Sequence, residues 1–338
     1  MTRLAWGLLA GKSVSELRIN TDQMDTDARR QFSHYLDKDS TLDCLCIDCV
    51  DTKRNDDWIL GPPILGALST KASLSKLQLY GDVLNDQRHE LVAQLLVRNK
   101  WLKHLSIYSL ASDGWMRSLE NGLRHNTSLI SLTLGDVDNE CWLQTDMSPL
   151  KEVLTIPKTV DGIDDNGLHL KELYLNYKTR PCATNDEWPP PYLQGEQLDA
   201  LADILKSEHC RLQVLKFNAR CTDLTSIADA LPKIQKVTHV AVNMYQWDEY
   251  CRDQERFKKK ILGGIKANPI LELAHFNELQ VDDPNFEAEI KSHCMLNRAR
   301  KVAASLQEGK LPLDILPNVL HSFASQNQYN PAEYHRYW

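Results

Sequence analysis

The stretch Ser128-Leu129-Ile130-Ser131-Leu132-Thr133-Leu134 sets apolar residues three and then two apart, and that spacing is present in nine copies along the 338-residue chain. The triplets are Val14/Leu17/Ile19, Leu42/Leu45/Ile47, Leu74/Leu77/Leu79, Leu102/Leu105/Ile107, Leu129/Leu132/Leu134, Leu170/Leu173/Leu175, Leu212/Leu215/Phe217, Val237/Val240/Val242 and, more loosely, Leu271/Ala274/Phe276. Their first members lie 28, 32, 28, 27, 41, 42, 25 and 34 residues apart. The closing alternation has the period of a strand with one buried side. A recurrence of this length means one supersecondary unit repeated, each copy burying its apolar side against its neighbours. The length would allow two ordinary globular domains, but the repeat makes one elongated solenoid with a cap the simpler reading.

A second periodic signal stands three residues before each triplet: Gly11, Asp39, Lys71, Asn99, Asn126, Gly167, His209, Ile234 and Asn268. Glycine and asparagine tolerate the left-handed backbone that closes a helix, so five of the nine copies carry a helix stop here. On that reading glycine at position 126 serves as well as asparagine. Upstream lie apolar residues at helical spacing: Leu91, Leu95 and Leu96; Met116, Leu119 and Leu123; Leu198, Leu201, Ala202 and Leu205; Phe257, Ile261, Leu262 and Ile265. Strand, turn, helix and return form the unit.

These residues resemble the ribonuclease-inhibitor class of leucine-rich repeat proteins over about residues 1–280. The resemblance implies an α/β solenoid, a curved horseshoe with parallel strands on its concave face and helices on its convex face. It leaves function open among inhibitors, GTPase activators, ligase adaptors and innate sensors. The segment Cys294-Met295-Leu296-Asn297-Arg298-Ala299-Arg300 resembles the closing element of such proteins.

The expected organisation is a repeat domain over residues 1–289 and a helical cap and tail over residues 290–338. In the cap, residues 290–307 and 313–323 read as two helices covering the end of the core. Long insertions fall near residues 135–169 and 177–195, the second holding Trp188-Pro189-Pro190-Pro191-Tyr192. They follow neighbouring strands and should project on one side as surface loops or as a lip around a partner. The chain opens inside a repeat, because residues 7–14 align without gaps on residues 122–129. The first strand is then an exposed edge, which predicts either self-association through it or a capping segment upstream.

The net charge of −7 argues against a nucleic-acid surface, which needs a basic balance. Nine scattered cysteines do not form a disulfide framework and fit reduced thiols in the cytoplasm or nucleus. No apolar run approaches a membrane span. No cofactor or catalytic motif is present, neither Gly-x-Gly-x-x-Gly, Gly-x-Ser-x-Gly nor His-Glu-x-x-His. Gly11-Lys12-Ser13 lacks the glycine spacing and the strand-to-helix context of a phosphate loop. Cys44, Cys46 and Cys49 are the densest thiol cluster, with Cys44 and Cys46 on the concave side, but no fourth zinc ligand is near in sequence. Arg256, Lys258, Lys259, Lys260 and Lys266 form one basic cluster, read as the solvated side of a helix, with a nuclear-import or acidic-partner patch as the alternative.

With the triplets inward, the alternate residues face the concavity. They include Glu16, Arg18 and Asn20 of the first strand, Cys44, Cys46 and Asp48 of the second, and Ser131, Thr133 and Gly135 of the fifth. Lys76, Gln78, Tyr80, His104, Ser106, Tyr108, Glu172, Tyr174, Asn176, Lys216 and Asn218 are the candidate partner-binding residues, and His239, Ala241, Asn243, Leu273, His275 and Asn277 complete the face. Tyrosines among adaptable polar groups have the composition of a protein-binding surface. Few carboxylates appear, against the acidic face that inhibiting a basic ribonuclease would need. The expected role is a non-catalytic scaffold or adaptor for an unidentified protein. A regulatory module such as a GTPase activator and a thiol-based metal or redox sensor are the alternatives.

Overall fold

The computed structural model describes residues 14–20, 24, 26–38, 41–49, 62–81, 89–108, 113–135, 145–156, 168–175, 192–220, 223–245, 254–278, 284–308 and 310. The strands are β1 (Glu16–Asn20), β2 (Cys44–Cys49), β3 (Lys76–Gly81), β4 (His104–Tyr108), β5 (Ser131–Gly135), β6 (Glu172–Leu175), β7 (Val214–Arg220), β8 (His239–Tyr245) and β9 (Leu273–Glu278). Between and after them run α1 (Thr26–Lys38), α2 (Pro62–Thr70), α3 (His89–Arg98), α4 (Asp113–His125), α5 (Ser148–Thr155), α6 (Gly195–Lys206), α7 (Thr225–Ala230), α8 (Gln254–Ala267) and α9 (Pro284–Gln307).

All nine strands join one open sheet in chain order, every pair parallel. The register is the one the triplets dictate. Leu17, Leu45, Leu77, Leu105, Leu132, Leu173, Leu215, Val240 and Ala274 stand side by side. Together with the other triplet residues they form one continuous core against the helices. A slip of one residue anywhere would turn a whole strand's leucines outward, so burial fixes the pairing. The chain is an α/β solenoid.

Each helix enters the core by one side. In α4, Trp115, Met116, Leu119 and Leu123 are buried, while Arg124 pairs with Glu120 one turn back and with Glu152 of α5 at 3.3 Å. At Gly122 an added Cβ would lie 2.9 Å from the Ala93 Cα of α3, so the glycine permits the close approach of these helices.

The asparagines before the strands do more than end helices. Asn126 Nδ2 donates to the carbonyls of Leu96 (2.6 Å) and Asn99 (3.2 Å) in the preceding coil. Its Oδ1 accepts from the amides of Ser128 (3.0 Å) and Leu129 (2.7 Å) in its own. Asn99 and Asn268 repeat the arrangement, donating to Leu68, and to Leu231 and Ile234, respectively. Lys71 holds the same place in its coil and donates Nζ to the Leu36 carbonyl. Helix α4 does stop at His125 as expected, and the Asn126 side chain makes bonds that glycine at 126 could not. The buried amide satisfies backbone groups of two coils at once. Gly11 and Gly167 lie outside the described residues.

Helix α9 closes the end of the sheet. Ile290, Cys294 and Asn297 are buried against β9 and α8. Asn297 Nδ2 donates to the carbonyls of Asn268 (2.8 Å) and Leu271 (2.9 Å), so the closing segment continues the asparagine series where no further strand follows among the described residues. The second expected cap helix, residues 313–323, lies outside the described residues.

The insertions are also partly placed. Within residues 135–169, α5 takes the helix position of its coil, with Leu150, Val153 and Leu154 buried and Pro149 in its first turn. Most of that insertion's described part is thus core and not a loop. In the second, the chain leaves the sheet after Leu175 and returns beside the same neighbour. Leu175 pairs with Phe217, and Leu193 bridges Ala219, its amide 2.8 Å from the Asn218 carbonyl. The insertion is therefore spliced into the line of β6. Its return is fixed by Gly195, whose φ of +47° suits glycine, and by Gln197, which donates Nε2 to the Thr145 carbonyl at 3.1 Å.

Candidate functional site

The sheet side turned away from the helices carries the alternate residues in three rows. One row runs Glu16, Cys44, Lys76, His104, Ser131, Glu172, Val214, His239, Leu273. The middle row runs Arg18, Cys46, Gln78, Ser106, Thr133, Tyr174, Lys216, Ala241, His275. The third contains Asn20, Asp48, Tyr80, Tyr108 and Gly135, then Asn218, Asn243 and Asn277. Asn176 lies outside the described residues.

The three candidate tyrosines are not equivalent. Tyr80 and Tyr108 stack with ring centroids 4.5 Å apart and planes 5° apart. Tyr108 also lies on Gly135, where an added Cβ would come 2.6 Å from its Cδ1, and it is only 5% exposed. Ser106 and Asn218 are buried as well. The expectation that Tyr108 is presented to a partner is corrected: its ring is spent on packing, and Tyr80 is the half-buried member of the stack. Glycine on the next strand is the sequence signal for such a flattened ring, because only there is room beneath it.

Tyr174 sits differently. Its ring lies under Lys216, with Nζ 4.9 Å from the centroid, and its hydroxyl donates to the Glu172 carboxylate at 3.2 Å. Burial pulls the Lys216 ammonium down to about 8, with Glu172 opposing. All three residues remain half-buried, in the middle of the sheet and next to the point where the second insertion leaves it. Beyond them, burial lowers His239 and His275 below the usual imidazole value. Asn243 Nδ2 donates to Asn218 Oδ1 at 3.0 Å, an amide pair that alternation alone could not reveal. Lys76, Gln78 and His104 complete the accessible part of the expected set.

At the first end, Arg18 donates from Nε (3.1 Å) and Nη2 (2.7 Å) to one Asp48 oxygen. The neighbouring Cys44 and Cys46 are buried, and burial raises both thiols, Cys46 to about 11. They are therefore protonated at neutral pH, the reverse of a reactive thiolate. Among the described residues no group of three or more His, Cys, Asp or Glu side chains could hold a metal ion. The Cys49 side chain lies outside them.

Most of the basic cluster on α8 is solvated as expected, with Arg256, Lys259, Lys260 and Lys266 exposed, and Lys258 is the exception. Lys258 is 8% exposed and holds Nζ 5.8 Å above the Phe286 ring. Lys260 pairs with Asp229 at 2.7 Å and Lys266 with Glu289. No described helix is long and apolar enough to cross a membrane.

No family model matches the chain, and no curated protein matches it. Similar solved structures include leiomodin-1 actin-binding site 2, 10% identical over 73% of this chain and 94% of that one, with a TM-score of 0.27. A protein from Bacteroides fragilis is 14% identical over 81% of this chain and 77% of that one, with a TM-score of 0.46. At these scores neither similarity says anything of function.

Proposed function

We propose that the chain is a ribonuclease-inhibitor-like leucine-rich repeat protein that acts without catalysis, holding a protein partner on its open strand face. The observation that carries this reading is the Glu172–Tyr174–Lys216 group. Each member is already oriented by another while still half-exposed, so a partner would bury an aromatic ring and an alkyl stem with little further loss of side-chain freedom. Lys76, Gln78, Tyr80 and His104 extend the contact along the sheet. The described cysteines 44, 46, 210 and 294 are free, which accords with a reducing cytoplasm or nucleus.

The test is affinity capture from the source cell with wild type and a Tyr174→Ala, Lys216→Ala double variant. A protein retained by the first and lost by the second, at unchanged circular dichroism, is expected. Equal capture by both overturns the open-face reading. Stimulation of small-GTPase turnover by the pure protein would overturn the non-catalytic one.

Self-association through β1 belongs to the same reading. Among the described residues β1 pairs only with β2. The Ser15 carbonyl accepts from the Asp43 and Cys44 amides, both at 2.9 Å, so Ser15, Leu17 and Ile19 turn their backbone groups toward β2. Glu16, Arg18 and Asn20 turn theirs to the outer edge.

A further inference from the structure

A basic strip lies along the rim where the strands begin. The residue after each triplet's first member continues the backbone ladder of the sheet. The Lys103 amide donates to the Ser75 carbonyl, Ile130 to Lys103, Lys171 to Ile130, Gln213 to Lys171 and Thr238 to Gln213, at 2.7 to 2.9 Å. Two positions earlier on the same coils stand Trp101, Ser128, His169, Arg211 and Lys236. These ten positions hold four lysines or arginines and no carboxylate, in a chain whose net charge is −7. Lys100 adds a fifth cation, its Nζ 3.1 Å from the His125 carbonyl. At both ends of the strip the sign reverses, because the same ladder continues to Asp43 beyond Ser75 and to Glu272 beyond Thr238.

The lysines of the strip are not used by the fold. Lys171 and Lys236 are exposed and Lys103 is half-buried, and none of the three has an ion-pair partner among the described residues. Arg211 donates Nη1 to the Leu168 carbonyl at 2.8 Å, which holds its guanidinium at the rim. Of the carboxylates flanking the strip, Glu208 lies 3.5 Å from His209 Nε2, and Glu172 accepts from the Tyr174 hydroxyl. Trp101 stands 44% exposed among the lysines, with Ile130 half-buried on the next coil, so the rim offers apolar area as well as charge. A row of like charges repels itself, and an anion laid along it relieves that repulsion.

We infer that this rim binds a short acidic segment of a partner protein, laid across the strand starts from β4 to β8. Four strand spacings span about 19 Å, the length of about six extended residues. Lys103, Lys171 and Lys236 recur on every second strand, about 10 Å apart, so carboxylates about three residues apart meet them in turn. Asp43 and Glu272 bound the strip, which favours a short acidic stretch over a nucleic-acid backbone that would run on past them. The strip lies outside the Glu172–Tyr174–Lys216 group, so the inference stands whether or not that group holds a partner.

The test is fluorescence anisotropy with the full-length protein at low salt. The probe is a fluorescein-tagged peptide of about eight residues, glutamate at every third position among glycine and serine, with a glutamine twin as control. The glutamate peptide should bind at least about ten-fold more tightly than its twin, and the difference should shrink as salt is added. A Lys103→Gln, Lys171→Gln, Lys236→Gln triple variant should lose that preference at unchanged circular dichroism, whereas the Tyr174→Ala, Lys216→Ala variant should keep it. Equal binding of the two peptides, a preference that survives the triple variant, or one lost with Tyr174 and Lys216 overturns the inference. Tighter binding of an oligouridylate of the same length would assign the strip to nucleic acid and overturn it too. A preference that emerges only after Asp161, Asp164 and Asp165 are changed to asparagine would assign the strip to the chain's own acidic run, with the same consequence.

Discussion

Replacing Asn126 with alanine removes an amide that is fully buried and bonded to the backbone of two coils. Two donated bonds, to Leu96 and Asn99, and two accepted ones, from Ser128 and Leu129, are lost together. The Leu96, Asn99 and Leu129 groups left behind belong to fully buried residues, so water reaches them poorly. At about 1 kcal/mol net for each bond the variant should lose about 4 kcal/mol, within the range reached when a buried network is broken. Asn126→Gly should lose at least as much, because it removes the same four bonds and adds backbone freedom to the unfolded chain. Asn126→Asp keeps the acceptors but sets a carboxylate against two carbonyls, and should be similarly damaging at neutral pH. Chemical denaturation followed by far-ultraviolet circular dichroism measures all three. An Asn126→Gly protein within about 1 kcal/mol of wild type would refute this argument. It would return the residue to a role in backbone conformation alone.

Three further outcomes follow from packing, charge and the edge. Adjacent glycines of α8 should respond oppositely to alanine: Gly263 has nothing within 4 Å of an added Cβ, whereas at Gly264 it would meet the Leu231 Cβ at 2.8 Å. Thermal melts should show Gly263→Ala stabilised by about 1 kcal/mol and Gly264→Ala destabilised by a similar amount or more. Burial raises Cys46, Cys210 and Cys294 to about 11, so the folded chain keeps protons that unfolded thiols release near 9, and stability is lost as pH rises from 9 to 11. Lys216, held at about 8, opposes this between 8 and 10.5, but three thiols outweigh one ammonium. The melting temperature should fall across that window, less steeply in Cys210→Ala, and a flat profile would contradict the burial of these thiols. Glu16→Pro removes an outer-edge donor of β1, whereas Ser15 faces β2, so size-exclusion over a concentration series should show association in wild type and weaker association in Glu16→Pro. A wild type monomeric at every concentration would dismiss edge pairing.

What could be read from the chain was whatever repeats. The triplets are tied to burial, and burial leaves no freedom of register, so strand order and pairing followed from leucine spacing alone. The signal before each strand was located correctly but ambiguous in cause, because asparagine suits both a left-handed backbone and a buried amide bridge. Lys71 carried the hint: a lysine has no special liking for left-handed backbone, yet its ammonium reaches the carbonyl of the preceding coil as the asparagine amides do. Alternation likewise gives the side of the sheet and not the rotamer, so Tyr108 and Tyr174 looked alike until Gly135 drew one ring flat and Glu172 with Lys216 held the other up. The open face resists sequence reading for a deeper reason. Its rows pass from Lys216 to Ala241 to His275, and from Glu172 to Val214 to His239, with no period at all. The solenoid core demands the same residue in every coil, while the open face is under no such demand from the fold. Its residues can therefore differ from coil to coil, and what they carry lies in combinations across coils, where no single repeat can show it.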